Sequence, residues 1–159
     1  MDRVKAAIFS SLGEKVIRAR VLDLFAGAGG LGIEAMSRGA ASAVFVESNR
    51  TAARMIERNL EIAGVKGLVQ SRNVFDFLKH ASGRFDIIFA DPPYEAAPGD
   101  EAYTDLLLSD AHIPLLLESD GVFVLEKRPG ERLPQHPDWK VTRARRYGAT
   151  EVIFAEHQK

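Results

Sequence analysis

Cysteine is absent from the 159-residue chain. That excludes disulfides, zinc–thiolate sites and a cysteine nucleophile. The four histidines, His80, His112, His136 and His157, are scattered without metal-ligand spacing, so no metal is expected. No stretch approaches the roughly 18 consecutive apolar residues of a membrane helix. The opening residues, Met1 to Lys5, lack the apolar segment of a secretory signal. A cytoplasmic protein with no membrane partner is the expectation. Excess charge is lacking too: the net charge is −1, so the molecule as a whole does not attract polyanions. Apolar content of 46% and charged content of 27% are those of an ordinary globular protein, long enough to bury a core. A single domain over residues 1–159 is expected, with a monomer as the default.

The charge is unevenly spread. Phe85 to Glu126 contains acids and no Lys or Arg, whereas Lys127 to Arg146 holds seven basic residues against Glu131 and Asp138. Such a chain can present basic edges to phosphates around a less charged pocket. Arg143, Arg145 and Arg146 are the candidate phosphate contacts, and solvated surface is the plainer alternative.

Hydrophobic periodicity predicts alternating helices and strands. A helix is expected over residues 2–12, ended by Gly13. A strand over Arg20–Phe25 runs into Gly27-Ala28-Gly29-Gly30-Leu31-Gly32 and a helix that ends at Gly39. Ala43–Glu47 reads as the second strand. Ser48 or Asn49 caps the clearest helix, which Gly64 closes. A weak strand over Gly67–Ser71 and a helix from Val74 to Ala81 lead to a fourth strand, Phe85–Ala90. A polar loop, Glu95 to Glu101, precedes two short helical pieces broken near Pro114. Gly121–Leu125 is a fifth strand, and Trp139–Arg143 pairs with Glu151–Ala155 in a terminal hairpin. This alternation implies an α/β fold: an open, mostly parallel sheet with helices on both faces and an antiparallel end. Ligands of such sheets bind beyond the carboxyl ends of the strands. The glycine loop, Glu47, Asn73 and Asp91 all fall there.

Asp91-Pro92-Pro93-Tyr94 ends the fourth strand. Proline fixes φ, lacks an N–H, and pushes the preceding residue out of the helical region. The tetrad is therefore stiff, with backbone carbonyls short of local donors, a carboxylate and an aromatic ring. That set suits a planar base with an exocyclic amino group: two acceptors for the NH2 hydrogens and a ring to stack on. A proline-rich turn with a solvated carboxylate is the plainer alternative. The glycines at 27, 29 and 32 fit G-x-G-x-x-G, with Glu47 about twenty residues on, positioned for ribose hydroxyls. This serves any adenosine cofactor, and structural turn glycines remain the alternative. Asp23, inside the first strand, favours a sulfonium or ammonium group over a pyrophosphate.

Val21 to Ala35 followed by Ser37-Arg38-Gly39-Ala40 resembles motif I of the class I S-adenosylmethionine-dependent methyltransferases. Asp91 to Tyr94 matches their [DN]-P-P-[YFW] motif for exocyclic amines. More narrowly, the chain resembles the bacterial 16S rRNA guanine-N2 methyltransferases of the RsmD type over nearly its whole length, including Asp2 to Phe9 and Arg146 to Thr150. The resemblance implies a Rossmann-like fold with a seven-stranded sheet, S-adenosyl-L-methionine as cofactor, and 16S rRNA or the small ribosomal subunit as partner. It places Asp23, Gly27 and Gly29 at the methionine end, Glu47 on the ribose, and Asn73 with Val74 beside the adenine, with Phe25 also among the cofactor-binding residues. Asp91, Pro92, Pro93 and Tyr94 would hold the target base. Asn73 is equally explained as a helix cap, and Asp76 competes with it. Family members usually begin with a basic β-hairpin ahead of the helix that opens this sequence, and that hairpin is missing here. Adenine-N6 methylation of DNA or RNA is the nearest alternative activity. An NAD-dependent oxidoreductase and a non-catalytic RNA-binding domain are more distant ones.

Overall fold

A computed structural model describes residues 2–93, 103–129 and 136–158. The first helix, α1 (Arg3–Leu12), starts where the Asp2 carboxylate accepts from the Val4 and Lys5 N–H groups. After a short 3-10 turn the chain alternates β1 (Arg20–Leu24), α2 (Gly30–Ser37), β2 (Ser42–Val46), α3 (Arg50–Ala63), β3 (Leu68–Gln70), α4 (Val74–His80) and β4 (Phe85–Ala90). Then come α5 (Tyr103–Leu108), α6 (Ile113–Leu116), β5 (Leu117–Lys127), β6 (Trp139–Tyr147) and β7 (Thr150–His157). The polar loop expected over Glu95–Glu101 lies outside the described residues. None of the described helices is long and apolar enough to cross a membrane.

The seven strands form one sheet in the order β3-β2-β1-β4-β5-β7-β6. β1 to β5 pair in parallel, and β7 runs antiparallel between β5 and β6. Strand order reverses between β1 and β4, which lie side by side with Leu22 opposite Ile88 and Asp23 opposite Phe89. A crevice opens at such a reversal because the connections leaving the two strands diverge to opposite faces.

The central strands β1, β4 and β5 are buried on both faces, and each face of the sheet carries its own core. On one side Val21, Phe45, Ile87, Phe89, Val124 and Phe154 meet Ile8, Phe9 and Leu12 of α1 and Ile56 and Leu60 of α3. On the other, Leu22, Leu24, Ile88, Phe123 and Ile153 meet Val74, Phe77 and Leu78 of α4, Leu107 and Leu108 of α5, and Trp139. Alternate residues thus face alternate cores, as strand geometry requires.

Several elements differ in extent from their expectation, among them β7, which runs three residues longer. The two short helical pieces form, broken over residues 109–112, and Pro114 sits in the first turn of α6, where its missing N–H costs nothing. β5 begins at Leu117, with a register irregularity before Val122 that accommodates Gly121. β6 runs on to Tyr147, exposed along most of its length, so the residues that extend it show no apolar alternation.

Candidate functional site

The functional side chains gather at the carboxyl ends of β1, β4 and β5. Ladder pairing of Leu24 with Ala90 and of Ala90 with Leu125 sets the three strand tips side by side. Asp23 of β1, Asp91 just past β4 and Glu126 near the end of β5 line one cleft on the α1 side of the sheet. Asp2, Val4 and Lys5 of α1, Phe25, Ala26, Gly30, Leu31 and Thr150 complete it. The cleft measures about 270 Å³. That is near the lower end of the ~300–1,000 Å³ of sites that enclose a drug-sized ligand.

Asp23 is 1% exposed, and its Oδ2 accepts from the Gly32 N–H at 3.0 Å. Burial pushes its carboxyl up to about 8; the Gly32 bond opposes this, and the charges of Asp91 and Glu47 add to it. Glu126 rises to about 9 through burial, its hydrogen bond with Asp91, and the negative charges of Asp91, Asp2 and Asp23. Asp91 is exposed as a residue. Burial of its carboxyl against the cleft wall still raises its pKa, opposed by the hydrogen bond to Glu126 and reinforced by Asp2. Among the described residues no ion pair reaches any of these three carboxyls. Desolvated acids with no paired cation hold negative potential in reserve for a positive ligand.

The glycine loop is shaped by two constraints. Gly29 has φ +87° and serves as N-cap of α2, a conformation L side chains rarely adopt. Gly32 is dictated by contact: a Cβ there would lie 2.4 Å from the Phe45 ring. The close approach is what lets its N–H reach Asp23. Glu47 ties the loop to β2, its two oxygens accepting from the Gly27 N–H at 2.8 Å and the Asn49 N–H at 2.9 Å. Each oxygen retains a lone pair, so the carboxylate can still take two hydroxyls. Phe25 also has a positive φ, +55°. For a non-glycine residue this costs on the order of 1–3 kcal/mol. Its ring is held edge-on by Phe75 at 6.3 Å and Tyr103 at 5.4 Å.

Asp23, Phe25 and Asp91 therefore meet in the cleft, with Gly27, Gly29 and Glu47 beside it. Pro92 is buried and Pro93 exposed. Tyr94 lies outside the described residues. Asn73 does not line the cleft; its Oδ1 caps α4, accepting from the Phe75 and Asp76 N–H groups. Val74 is buried in the core beside it, and Asp76 is exposed. The three arginines of β6 are not gathered on one face. Arg143 and Arg145 pair with Phe154 and Val152 of the α1-side core, whereas Arg146 pairs with Glu151. Arg143 donates to Ser11 Oγ at 3.0 Å.

Sequence reasoning misses Glu126, Lys5 and the Phe75–Tyr103 pair. For Glu126 a signal exists: it is an acid just past an expected strand, the same criterion that singles out Glu47 and Asp91.

The family described as Conserved hypothetical protein 95 matches residues 1–156. The chain is 33% identical to the ribosomal RNA small subunit methyltransferase D of Escherichia coli, over 99% of this chain and 77% of that protein. It is 37% identical to YlbH of Bacillus subtilis, over 96% of this chain and 84% of that protein. Among solved structures, a conserved hypothetical protein of Streptococcus pyogenes superposes with a TM-score of 0.83 at 31% identity, covering 97% of this chain and 95% of that one.

Proposed function

We propose, from the premise that this chain belongs to the RsmD family of rRNA methyltransferases, that it methylates the exocyclic N2 amino group of an unpaired guanine in 16S rRNA of the small ribosomal subunit. The methyl donor is S-adenosyl-L-methionine, which supplies an electrophilic methyl group. One observation carries the proposal: Asp23 and Asp91 stand on neighbouring strand tips in one cleft, and no ion pair among the described residues reaches either. A donor that brings an ammonium and a sulfonium supplies these two carboxyls with the paired charge they lack.

The residues present fit that donor. Asp23 accepts from the ammonium of its methionine end, the turn at Gly27 and Gly29 brings backbone against it, and Glu47 has lone pairs left for the ribose hydroxyls. Asn73, with its oxygen committed to capping, has only its amide N–H groups left for the adenine, and Val74 packs into the core beside it.

The nucleophile is the harder partner, because an aryl amine shares its lone pair with the ring. Asp91 and a proline-flanked carbonyl each accept one N–H hydrogen, which favours a pyramidal nitrogen with its lone pair directed at the methyl group. Asp91 also offsets the positive charge that develops on that nitrogen. Most of the rate comes from holding the reacting atoms collinear at near-attack distance. A paired base cannot enter, so the guanine is unpaired or flipped out. Stacking on Tyr94 adds roughly 1–3 kcal/mol to its retention.

Incubating the protein with labelled donor and, separately, assembled small subunits, naked 16S rRNA and DNA, then mapping the modified nucleotide, tests the proposal. N2-methylguanine in 16S rRNA is expected. N6-methyladenine in any substrate would overturn the base assignment. Calorimetric binding of NAD with none of S-adenosylhomocysteine would overturn the chemistry.

A further inference from the structure

One carboxyl in the cleft is left without a role by the chemistry above. Glu126 lies beside Asp91 because Ala90 pairs with Leu125 across the parallel β4–β5 ladder. The side chains of Asp91 and Glu126 follow Phe89 and Val124 at a spacing of two, so both point to the α1 side. There the two carboxyls face one another from adjacent strand tips in one cleft, within reach of a mutual hydrogen bond. An ionised carboxylate only accepts. Two of them in direct hydrogen bond therefore require a proton between them.

We infer that Asp91 and Glu126 share a single proton, and that Glu126 is a positioning residue which sets the charge and orientation of Asp91 for methyl transfer. The inference deepens the proposed function and rests on it for the transfer step, though not for the shared proton itself.

The surroundings support a pair of charge −1. From β1 comes Asp23, from α1 come Asp2 and Lys5, and from β7 the uncharged Thr150. Lys127 follows Glu126 in the chain but turns to the opposite face, where its Nζ lies 2.8 Å from Glu151 Oε1. Among the described residues, Lys5 is therefore the one cation lining the cleft, and no ion pair joins it to either carboxyl. Against two further acids it does not neutralise the pair, so a second ionisation is opposed by Asp23, Asp2 and burial together.

The consequence for the reaction is a place for the departing proton. As the nitrogen lone pair forms the bond to carbon, the sulfur–carbon bond breaks and its electrons stay on sulfur. The nitrogen, now positively charged, gives one proton to the ionised oxygen of the pair. The pair becomes neutral and returns the proton to water. A lone carboxylate beside Asp23 could also accept it, but would enter the reaction with its hydrogen-bonding oxygens unoriented.

Carboxyl-carbon NMR on the intact, ligand-free protein tests the pair directly. In the wild type, Asp91 and Glu126 are expected to titrate together in two steps, the upper one well above neutrality. In Glu126→Gln, Asp91 should collapse to a single step at lower pH, and in Asp91→Asn, Glu126 should do the same. Independent one-step titrations in the wild type, or an Asp91 curve unchanged by Glu126→Gln, would overturn the inference. The pH–rate profile supplies the second readout. Its limb for loss of the shared proton should vanish or move by roughly one to two pH units in Glu126→Gln, with the KM for RNA unchanged. A superimposable profile would make Glu126 merely structural. If S-adenosylhomocysteine gives no binding heat, the proposed function fails, while the NMR titration still decides the pair.

Discussion

The two ends of the sheet carry acidic clusters of similar size and opposite chemistry. At the amino end, oxygens of Asp86, Glu118 and Asp120 lie within 4.8 Å of one another. Arg20 reaches both Asp86, at 3.4 Å, and Glu118, at 3.7 Å, and Arg84 reaches Glu118 at 3.7 Å. Asp86 also accepts from the Arg20 backbone N–H at 2.8 Å. At the carboxyl end no guanidinium among the described residues pairs with Asp23, Asp91 or Glu126, and their protonation equilibria are pushed upward. Residue type is common to both clusters; the difference lies in whether the chain supplies the counter-charge. Where it does, the acids serve the fold. Where it does not, a positive charge must come from outside or a proton must stay.

The sharpest way to break that comparison is to remove one acid from each end. Asp91→Ala should lower turnover by about 10²–10³-fold or more, the scale on which removing one group that stabilises a transition state acts, while donor binding persists. Asp91→Asn should retain part of the rate, since its amide oxygen still accepts. Asp86→Ala should leave turnover intact and cost about 1–2 kcal/mol of stability, from a half-buried ion pair and the bond to the Arg20 N–H. Steady-state kinetics and chemical denaturation of the three variants decide it. Equal loss of donor affinity in both Asp91 variants would mean that the residue holds the cofactor and not the base.

Glu47 comes next in size. Glu47→Ala removes two ribose acceptors and frees the Gly27 and Asn49 N–H groups. Affinity for S-adenosylhomocysteine should fall by roughly 10–100-fold, from hydrogen bonds to a charged group worth ~1.5–3 kcal/mol, as read by calorimetry. An unchanged affinity would show that this carboxylate only braces the loop.

The fold is largely legible in the sequence because its signals are local. Asn49 and Gly64 bracket α3 as cap residues do, and the run from Phe85 to Ala90 has the length and composition of a buried strand. The site is legible wherever an acid or a glycine follows a strand. It is illegible where the meaning lies in register. Residues 91 and 126 become partners only through the β4–β5 ladder, and no spacing in the chain announces which strands will be neighbours. Asn73 shows a different limit: an asparagine that caps a helix and one that binds a ligand look alike in sequence, and only its two backbone donors separate them. The arginines of β6 show a third. Close together in the chain, they resemble one patch, yet a strand sends neighbours to opposite faces.

Proton linkage sharpens the comparison further, at the level of stability. The Asp23 carboxyl stands at about 8 in the fold against an ordinary value of 3.8. Between those values the folded chain holds the extra proton. Stability is therefore full at the acid end of this window and falls as pH rises toward about 8, beyond which the decline is complete. Glu126 acts in the same direction up to about 9. Asp23→Asn, which keeps an acceptor for Gly32, should raise the melting temperature at pH 8.5 by on the order of 5 °C. Asp86→Asn should lower it slightly. Thermal scans at pH 5 and pH 8.5 read both; a fall in both variants would show that Asp23 is stabilised by a partner after all.

The smallest effect concerns the basic edge beside the acidic cleft. Arg143 and Arg145 share the α1-side face with Asp23, Asp91 and Glu126, whereas Arg146 lies on the other. A base entering the cleft brings its flanking phosphates to the cleft's own side of the sheet. Only same-face arginines would then displace counterions. Taking away one arginine–phosphate pairing should reduce the slope of log affinity against log salt by ~0.7–0.9. Arg145→Gln should show that reduction. Arg143→Gln should show it together with loss of the Ser11 bond, and Arg146→Gln should not. Filter binding of a 16S rRNA fragment across a salt series distinguishes the three. Equal slopes for all three variants would place the RNA footprint away from β6, and a reduced slope in Arg146→Gln alone would put the phosphates on the face opposite the carboxyls.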